Sequence, residues 1–353
     1  MNPHKPNKLP VELDFSKFAR SLSNAQYSLG RLDGLQKTLL NPNLLLAPLT
    51  TKEAAVSSKI EGTQSTVSDI FLYEAGEKTE HRDIIEVVNY KRAVLYAIEQ
   101  LKKKPLNLNL IKDLHRILLE NARRHGTPGE FRKEQVWIGE RDAPIEEATY
   151  LPPRWETIPE HMSNLEKYVN SQKEDVLVQA ALAHYQFEAI HPFYDGNGRI
   201  GRLLIPLILY SQEKISQPIL YMSGYFEKNR NKYTEALHNV DETDDYESWI
   251  SFFMEATAIQ AEETQKLIEN ILSLHQVTMQ EFENSKSPYI PRLIDFLFKK
   301  PIFRTSDVVD EIGAHRSTVT RLLDKLIERN TLDELKIGGR KRVFAFRNLL
   351  RIL

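Results

Sequence analysis

The chain has 353 residues, of which 41% are hydrophobic and 27% are charged, and its formal net charge is −2. This composition is typical of a globular protein long enough for two or three domains with a buried core. The absence of cysteine excludes disulfide frameworks and thiolate metal sites, and it fits a cytoplasmic location. No apolar run approaches the roughly 18 residues of a membrane helix, and the first ten residues lack a signal-peptide core, so we expect no membrane partner.

Helical patterns dominate the chain, because apolar residues recur three and four positions apart in most segments. Strand patterns are confined to 136–153 and to two short runs near the C-terminus. The sequence therefore predicts a mainly α protein. The clearest helical segments are 86–101, 110–120, 176–190, 200–213 and 247–283.

Residues 57–62, near the N-terminus, read Ser-Ser-Lys-Ile-Glu-Gly. Ser57 and Glu61 stand four positions apart, so a helix would present both on one face. Taken alone, the pattern is also that of a solvated helix end that closes at Gly62. Further along, short apolar β-formers at 136–153 flank a polar turn with a proline, which predicts a β-hairpin.

The densest chemistry lies in residues 191–202, which read His-Pro-Phe-Tyr-Asp-Gly-Asn-Gly-Arg-Ile-Gly-Arg. A glycine-rich backbone lets successive N–H groups bind phosphate oxygens in one concavity. Arg199 and Arg202 add permanently charged forks for outer phosphates. Asp195 offers a carboxylate to a divalent cation such as Mg²⁺, and His191 can accept a proton near neutral pH. The pattern indicates transfer of part of a nucleotide to a hydroxyl.

Three other interpretations of residues 191–202 fit less well. Gly196, Gly198 and Gly201 satisfy the dinucleotide-binding pattern G-x-G-x-x-G, but that site needs a preceding strand, and 176–190 has a helical pattern. A Walker A loop is excluded because no Gly-Lys-Ser/Thr follows. A purely structural turn would account for the glycines but not for the arginines, the carboxylate and the histidine.

Residues 191–202 resemble the signature of Fic-domain proteins, H-x-F-x-[DE]-G-N-G-R-x-x-R, at every fixed position. The run Thr-Pro-Gly-Glu-Phe-Arg at 127–132, followed by Val-Trp-Ile-Gly at 136–139, resembles the segment that leads into that family's flap. The resemblance covers roughly residues 35–250. It implies a Fic-type helical domain with a β-hairpin flap and protein adenylyltransferase activity, in which AMP passes from ATP to a Ser, Thr or Tyr hydroxyl of a target protein, or of the enzyme itself, and pyrophosphate leaves.

The resemblance also implies a role for each residue of the motif. His191 would deprotonate the target hydroxyl, and Asp195 would hold Mg²⁺ between the α- and β-phosphates. The backbone of 196–198 would bind phosphate at a helix N-terminus, Arg199 and Arg202 would stabilise the β- and γ-phosphates, and Phe193 would anchor the loop. The predicted nucleotide-binding residues are Gly196, Asn197, Gly198, Arg199, Ile200, Gly201, Arg202, Asn229 and Tyr233.

Beside a Fic motif, residues 57–62 resemble the family's inhibitory helix, [ST]-x-x-x-E-[GN]. The resemblance places this helix around 54–62, with Ser57 and Glu61 as its inhibitory residues. Glu61 would form a bidentate pair with Arg202 and occupy the fork that would otherwise hold the γ-phosphate. The flap at 136–153 would receive the target's loop as an added strand.

Two aromatic regions stay open to more than one interpretation. Residues 225–233 fall where relatives enclose adenine, which makes Asn229 and Tyr233 nucleotide contacts, but aromatic residues at helical spacing are also ordinary core. His184 lies seven residues before His191 and suggests a two-histidine metal site. A core histidine is the favoured interpretation, because no third ligand stands at useful spacing.

Residues 286–353 form a basic module, with 15 Lys and Arg against 8 Asp and Glu, whereas the preceding 285 residues carry a formal charge of −9. Helices near 290–299, 306–312 and 315–329, then β-runs at 332–337 and 342–346, resemble a winged helix. His315, Arg316, Ser317, Thr318 and Arg321 begin its candidate recognition helix, with Arg340, Lys341 and Arg342 in the wing. DNA is one candidate partner, and protein contact or dimerisation is the alternative.

The predicted organisation is an N-terminal helical region at 1–105, a catalytic core at 106–246, a connecting helix at 247–285 and the basic module at 286–353. We expect a homodimer that uses ATP as co-substrate and Mg²⁺ as cofactor. One alternative function is removal of AMP from a modified target, with Glu61 orienting water. Another is a DNA-binding regulator whose Fic site only senses nucleotide, and the intact His191 favours an enzyme over such a sensor.

Overall fold

The computed structural model describes residues 2–37, 41, 43–77, 83–122, 126–139, 144–171, 173–285, 287–335 and 342–353. Helices make up most of these ranges, and the strands form a small antiparallel sheet near the C-terminus. Within the same ranges no helix combines the length and the apolar character that crossing a membrane would require.

The body of the protein is helical. Single turns of 3-10 helix lie at Phe15–Lys17, Ile145–Glu147 and Trp155–Thr157. The α-helices of the body are α1 (Ala19–Lys37), α2 (Asn43–Ile60), α3 (Val67–Glu74), α4 (Ile84–Leu101), α5 (Leu108–Leu118), α6 (Ile158–Val169), α7 (Val176–Ile190), α8 (Asn197–Ser211), α9 (Ser223–Lys228), α10 (Arg230–Thr243) and α11 (Tyr246–Glu281). The helical segments predicted from apolar spacing agree with these bounds to within three residues.

The C-terminal elements follow the order helix, strand, helix, helix, strand, strand, which is the order expected of a winged helix. The three strands pair antiparallel in the order β1-β3-β2, and Phe344 in the central strand faces Phe303 on one side and Glu334 on the other. The tip of the predicted wing lies outside the described residues. The elements are α12 (Ile290–Lys299), β1 (Ile302–Arg304), α13 (Thr305–Ile312), α14 (Arg316–Glu328), β2 (Asp333–Leu335), β3 (Val343–Ala345) and α15 (Arg347–Ile352).

Helix α7 is the centre of the catalytic body. All its residues except Glu188 are buried, and it packs against α6, α8 and α11. Its small and aliphatic side chains allow this, because a helix that is apolar on every side can be enclosed by its neighbours. The turn between α7 and α8, which holds the 191–202 motif, is therefore anchored on a rigid element.

Helix α2 lies between the catalytic body and the C-terminal elements, since it packs against α4 and α9 as well as α12. Helix α3, which follows it, packs against β1. There the Arg304 guanidinium donates to the Gly76 carbonyl (2.8 Å) and to the Glu77 carboxylate (2.5 Å). The basic module is thus docked on the N-terminal helices.

The flap differs from the predicted hairpin. Among its described residues, pairing is limited to one antiparallel bridge, in which Ile138 N–H donates to the Tyr150 carbonyl (2.9 Å) and Tyr150 N–H donates back (3.1 Å). Pro144, Pro152 and Pro153 have no N–H to donate to a ladder, which explains why longer strands do not form. Residues 140–143, at the predicted turn, lie outside the described part of the chain.

Candidate active site

His191 is the residue at which α7 ends. Its N–H still donates to the Phe187 carbonyl (3.0 Å), but its backbone is left-handed, with φ 48°. Pro192 follows, and its ring prevents the helix from continuing. A histidine in this conformation persists only where the surrounding structure holds it. The backbone of His191 is therefore held at the start of the α7–α8 turn.

Asn197 closes the turn with both ends of its side chain. Its Oδ1 accepts from Phe193 N–H, and its Nδ2 donates to the Phe193 carbonyl, each over 2.9 Å. Phe193 is fully buried, as predicted for an anchor. Because the Asn197 amide is engaged in this way, only its backbone N–H remains for the predicted phosphate contact.

Helix α8 begins at Asn197, and its N-cap is Gly196 with φ 78°. A left-handed cap of this kind favours glycine. The first N–H groups of a helix have no acceptor within the helix, and the helix dipole adds positive potential there. The backbone N–H groups of Asn197 and Gly198 are therefore suited to an anion, whereas that of Gly196 donates to Asp195, and the phosphate contact of 196–198 stays a prediction.

Ile200 and Gly201, two of the predicted nucleotide-binding residues, pack against the interior of the body. Ile200 N–H donates to the Gly196 carbonyl (3.1 Å), and the Ile200 side chain is fully buried. A β-carbon at Gly201 would overlap the Glu188 carboxyl. These two residues therefore pack α8 into the body, and their contact with nucleotide stays a prediction.

Arg199 is buried, with 3% of its side chain exposed. Its Nη1 forms an ion pair with Glu86 of α4, and its Nη2 lies 3.3 Å from Oδ1 of Asp195. The same Asp195 oxygen accepts from Gly196 N–H at 2.6 Å. No local pattern pointed to Glu86, because it lies 113 residues away from Arg199 in the chain.

Arg202 is also buried, and it contacts both residues of the predicted inhibitory pair. Its Nη2 lies 2.7 Å from Oε1 of Glu61 and 2.9 Å from the Ser57 carbonyl, while its Nε donates to the Ser57 hydroxyl at 3.0 Å. The predicted pairing of Glu61 with Arg202 is therefore present. The pair is made by one guanidinium nitrogen and one carboxylate oxygen, Nη2 and Oε1, and Ser57 bonds the same Nη2 as well as Nε.

The predicted inhibitory helix is the end of α2, which stops at Ile60, one residue before Glu61. Gly62 N–H donates to the Lys59 carbonyl (3.0 Å), and Thr63 N–H donates to the Ser58 carbonyl (3.2 Å). These two bonds form a Schellman motif. The two interpretations of 57–62 are thus compatible: the segment is a capped helix end, and the cap presents Glu61 to Arg202.

Glu61 lies directly over the first turn of α8. A β-carbon at Gly198 would overlap Oε1 of Glu61, so this close approach requires glycine. Burial acts to raise the pKa of the Glu61 carboxyl, but the charge of Arg202 and the bond to it are stronger and lower the pKa overall. Glu61 is therefore an anionic group held at the N-terminus of α8.

Burial and the nearby Arg132 guanidinium lower the pKa of the His191 imidazole to about 4. The imidazole is therefore neutral at physiological pH and is able to accept a proton. Its Nδ1 is buried without a hydrogen-bond partner among the described residues.

His115 is a structural residue of the site that sequence reasoning missed. Its Nε2 lies 3.0 Å from the Asp195 carbonyl, and its Nδ1 accepts from Gly129 N–H at 2.8 Å. Because Nδ1 is an acceptor, the proton of the neutral ring is on Nε2, which donates to Asp195. Burial lowers the pKa of His115 to about 4 and keeps it in this neutral form. Nothing in its own helix marked it, since 110–120 has an ordinary amphipathic pattern.

Arg132 links the flap to the motif. Its side chain donates to the carbonyls of His191 (2.9 Å), Glu134 (3.0 Å) and Pro153 (2.5 Å), and its N–H donates to Pro192 (2.9 Å). Burial lowers the pKa of this guanidinium to about 10, so it stays charged at neutral pH. The run 127–132 was the sequence signal for this segment.

Tyr233 and Asn229 differ in their relation to the motif, because the Tyr233 side chain contacts Arg202, whereas Asn229 is bonded elsewhere. Tyr233 is 5% exposed, and its hydroxyl lies 2.8 Å from Nε2 of His184. Asn229 donates its amide to the Tyr225 carbonyl at 3.0 Å. The burial of Tyr233 agrees with the core alternative, and nucleotide contact by Tyr233 and Asn229 stays a prediction. His184 is fully buried and stacks on Tyr233 and Trp249, as predicted for a core histidine.

A cavity of about 490 Å³ lies between the flap bridge, α7 and α10. It reaches Glu188, one helical turn before His191. Burial raises the pKa of the Glu188 carboxyl to about 7. Neither Asn229 nor Tyr233 is among the residues that line this cavity. Its wall includes Ile138, Tyr150, Tyr185, Thr234, Leu237 and His238.

Asp195 is the only member of the motif suited to a divalent cation. Its side chain is 39% exposed, and one of its oxygens is already shared by Gly196 N–H and Arg199. No cluster of three or more metal-ligating side chains occurs in the part of the chain that the structure describes. A single available carboxylate oxygen fits Mg²⁺, which proteins commonly bind through one or two carboxylates together with substrate phosphates.

Comparison with known families gives three matches. Models of the Fic/DOC family and of its N-terminal region match residues 105–209 and 19–99, which together are more than half of the chain. A model of the C-terminal domain of SoFic-like protein adenylyltransferase matches residues 274–349. The three matches cover the catalytic body, the α1–α4 region and the basic module.

Curated relatives include protein adenylyltransferase Fic of Drosophila yakuba, 32% identical over 166 residues, which are 45% of this chain and 30% of the relative. Protein adenylyltransferase fic-1 of Caenorhabditis briggsae is 29% identical over 133 residues, which are 37% of this chain and 24% of the relative. The chain thus spans a third or less of the length of these curated relatives.

Solved structures agree with the fold. A Fic family protein from Desulfovibrio desulfuricans G20 superposes with a TM-score of 0.62 at 20% identity and covers 98% of both chains. Fic-1 from C. elegans superposes with a TM-score of 0.54 at 20% identity, over 70% of this chain and 72% of the other. With the complete motif at 191–202 and the two family models over its N-terminal 209 residues, the chain belongs to the Fic/DOC family.

Proposed function

We propose that this chain is an auto-inhibited protein adenylyltransferase that transfers AMP from ATP to a hydroxyl of a target protein. The observation that carries the proposal is the position of His191, neutral because its pKa is about 4, on the same turn as the N-terminus of α8. A proton acceptor beside a phosphate-binding backbone is what hydroxyl attack on a phosphate requires. The names of the curated relatives support the same activity.

In this mechanism the chain positions groups and stabilises charge. The N–H groups of Asn197 and Gly198 hold the α-phosphate, and His191 takes the proton of the target hydroxyl as its oxygen attacks phosphorus. The bond between the α-phosphorus and the bridging oxygen of pyrophosphate then breaks. Arg199 and Arg202 stabilise the charge that develops on the departing pyrophosphate.

Asp195 would hold Mg²⁺ through its available carboxylate oxygen. The cation would supply charge neutralisation on the phosphate oxygens. Asp195 itself is oriented by Gly196 N–H and by His115, which holds its carbonyl. The chain thereby fixes the carboxylate before any nucleotide arrives.

We assign the nucleoside of ATP to the cavity between the flap and α10. Its volume of about 490 Å³ is within the range of small-molecule sites, and its lining combines apolar residues with a few polar groups. It begins beside Glu188, close enough to His191 for one nucleotide to span both. This assignment puts Thr234 and His238 of α10 beside the nucleotide.

Auto-inhibition is supported by the position of Glu61. Its carboxylate accepts a hydrogen bond from the Arg202 guanidinium and lies over the N-terminus of α8, where an anionic phosphate would otherwise bind. Productive binding of the triphosphate would require Glu61 to move away. Target docking on the flap is supported by Trp137 and Ile138, whose side chains are 42% and 40% exposed there.

The test is incubation with ATP labelled in the α-phosphate and Mg²⁺, with the chain alone and with cell lysate. We expect labelled AMP on protein, and no label with His191→Ala, although that variant should still bind ATP. Equal labelling by the His191 variant would refute the mechanism. Loss of label from a previously modified protein, without incorporation by the chain, would favour AMP removal instead.

We further propose duplex DNA as a partner of the basic module, because Arg316, Arg321 and Lys325 are exposed on α14. Arg342, predicted to contact phosphate, is instead paired with Glu334 (2.8 Å) and Asp324 (2.9 Å), which compensate its charge. Arg340 and Lys341 lie outside the described residues.

The DNA proposal is tested by gel shift of the full chain at low salt. Arg316→Ala with Arg321→Ala should weaken binding, whereas Arg292→Ala with Lys299→Ala, which removes the same charge from α12, should weaken it less. Equal effects, or no binding at all, would favour the protein-contact alternative. Dimerisation and a cytoplasmic location stay predictions, and light scattering tests the first.

A further inference from the structure

Glu86 is a carboxylate at the active site that the Fic motif does not include. It lies in the first turn of α4, and it forms an ion pair with Nη1 of Arg199. The Glu86 side chain is 17% exposed, and that of Arg199 is 3% exposed. A buried guanidinium needs an anionic partner, and breaking such a pair leaves an uncompensated charge.

Arg199 has two carboxylate partners of different character. Its contact with Asp195 is longer, at 3.3 Å, and the Asp195 side chain is 39% exposed. Asp195 is also the proposed cation ligand, so its charge is shared when a nucleotide binds. Glu86 has no proposed role in cation binding. It approaches Arg199 from α4 and contacts Nη1, whereas Asp195 contacts Nη2.

Helix α4 is a firm support for this contact. Its Asn89, one turn after Glu86, donates to the carbonyls of Leu118 (3.2 Å) and Glu120 (2.7 Å), which ties α4 to the end of α5. Helix α4 also packs against α2 and α8. A side chain on such a packed element can hold a functional group in place, because its own position is fixed by neighbouring contacts.

We propose that Glu86 is a positioning residue for ATP: it holds Arg199 by Nη1 so that Nη2 stays on the Asp195 side of the motif and meets the outer phosphates of the nucleotide. The inference rests on the proposed function, since it deepens the role of Arg199 there. Glu86 would then make the site selective for nucleotides with more than one phosphate. A misplaced Arg199 would lose its contact with the β-phosphate, whereas binding of the α-phosphate would be unaffected.

The test compares nucleotide binding and AMP transfer by the full chain in a Glu61→Gly background, in which Arg202 has lost its carboxylate partner. Glu86→Gln should weaken ATP and ADP binding about 10-fold, the usual size of one charged hydrogen bond, and should change AMP binding less than about 2-fold. Glu86→Asp keeps the charge and should recover part of the affinity. Adding Arg199→Ala to Glu86→Gln should cost little more than Arg199→Ala alone, since both remove one interaction.

Glu74→Gln is the matched control. Glu74 pairs with Lys91, which is also on α4 and also largely buried, at 2.8 Å. Glu74→Gln should lower the melting temperature by about as much as Glu86→Gln does, but it should not change the ratio of ATP affinity to AMP affinity. This control separates positioning of Arg199 from a general loosening of α4.

Two outcomes would overturn the role of Glu86. One is ATP affinity unchanged in Glu86→Gln while Arg199→Ala loses it, and the other is equal weakening of ATP, ADP and AMP. If Arg199→Ala itself binds ATP as tightly as the background does, the phosphate role in the proposed function fails instead. If Glu86→Gln does not fold, Glu86→Asp carries the same comparison, and an unchanged ATP-to-AMP ratio in it overturns the inference.

Discussion

The rings of His115 and Phe193 stack face to face, with centroids 3.7 Å apart and an interplanar angle of 6°. Phe193 belongs to the motif, whereas His115 comes from α5, so the stack joins two distant parts of the chain. His115 also bonds the Asp195 carbonyl and Gly129 N–H. His115 therefore holds both the motif loop, through Phe193 and Asp195, and the segment that leads into the flap, through Gly129.

His115→Ala should lower the free energy of unfolding by about 2–4 kcal/mol, because it removes a buried stacked ring and leaves buried polar groups unpaired. AMP transfer per folded molecule should fall as well, since Asp195 loses its support. Chemical denaturation and label incorporation measure the two effects. His275→Ala is the control, because His275 also contacts an aromatic ring and a carboxylate, but far from the motif.

Asn197→Ala should reduce both stability, by about 1–3 kcal/mol, and AMP transfer, because the two hydrogen bonds that close the motif turn on Phe193 are lost. Asn170→Ala is its control. Asn170 likewise makes two side-chain hydrogen bonds, both of them donated by its amide to the carbonyls of Leu106 and Glu166, outside the site. Similar loss of transfer in both variants, per folded molecule, would contradict a specific role for Asn197.

Glu61→Gly should raise AMP incorporation about 10-fold. A charged hydrogen bond contributes about 1.5–3 kcal/mol, and the 39% exposure of the Glu61 side chain places the effect at the lower end. The measurement is a time course with labelled ATP. Lys59→Ala, which removes an exposed residue of the same turn of α2, should leave the rate unchanged. Unchanged incorporation in Glu61→Gly would show that the pair with Arg202 is not inhibitory.

Transfer should stay independent of the ionisation of His191 between about pH 5.5 and 8. Only the neutral imidazole accepts a proton, and a pKa lowered to about 4 keeps it neutral throughout this window, so activity is lost only as the pH falls toward 4. A histidine with the ordinary pKa of about 6.5 would instead lose activity below neutrality. Because Glu188 beside the cavity has a pKa of about 7, a break near pH 6.5 in kcat/KM of the Glu61→Gly variant would contradict the lowered pKa of His191 if it persists when Glu188→Gln is added.

The sequence determined the helical class and the chemistry of the motif. Apolar spacing located the helices, since periodicity depends only on neighbouring residues. The fixed positions of 191–202 predicted the neutral base at His191 and the phosphate-binding turn at α8. The spacing of Ser57 and Glu61 predicted one shared face, and both residues contact Arg202.

Only the tertiary structure decided which distant side chains complete the site. Glu86, His115 and the docking of the basic module on α2 and α3 arise from packing between elements far apart in sequence. The same packing placed Tyr233 in the core and Ile200 inside the body, although local patterns allowed either position. Contacts of this kind depend on how helices meet in space, and a local sequence pattern carries no record of that.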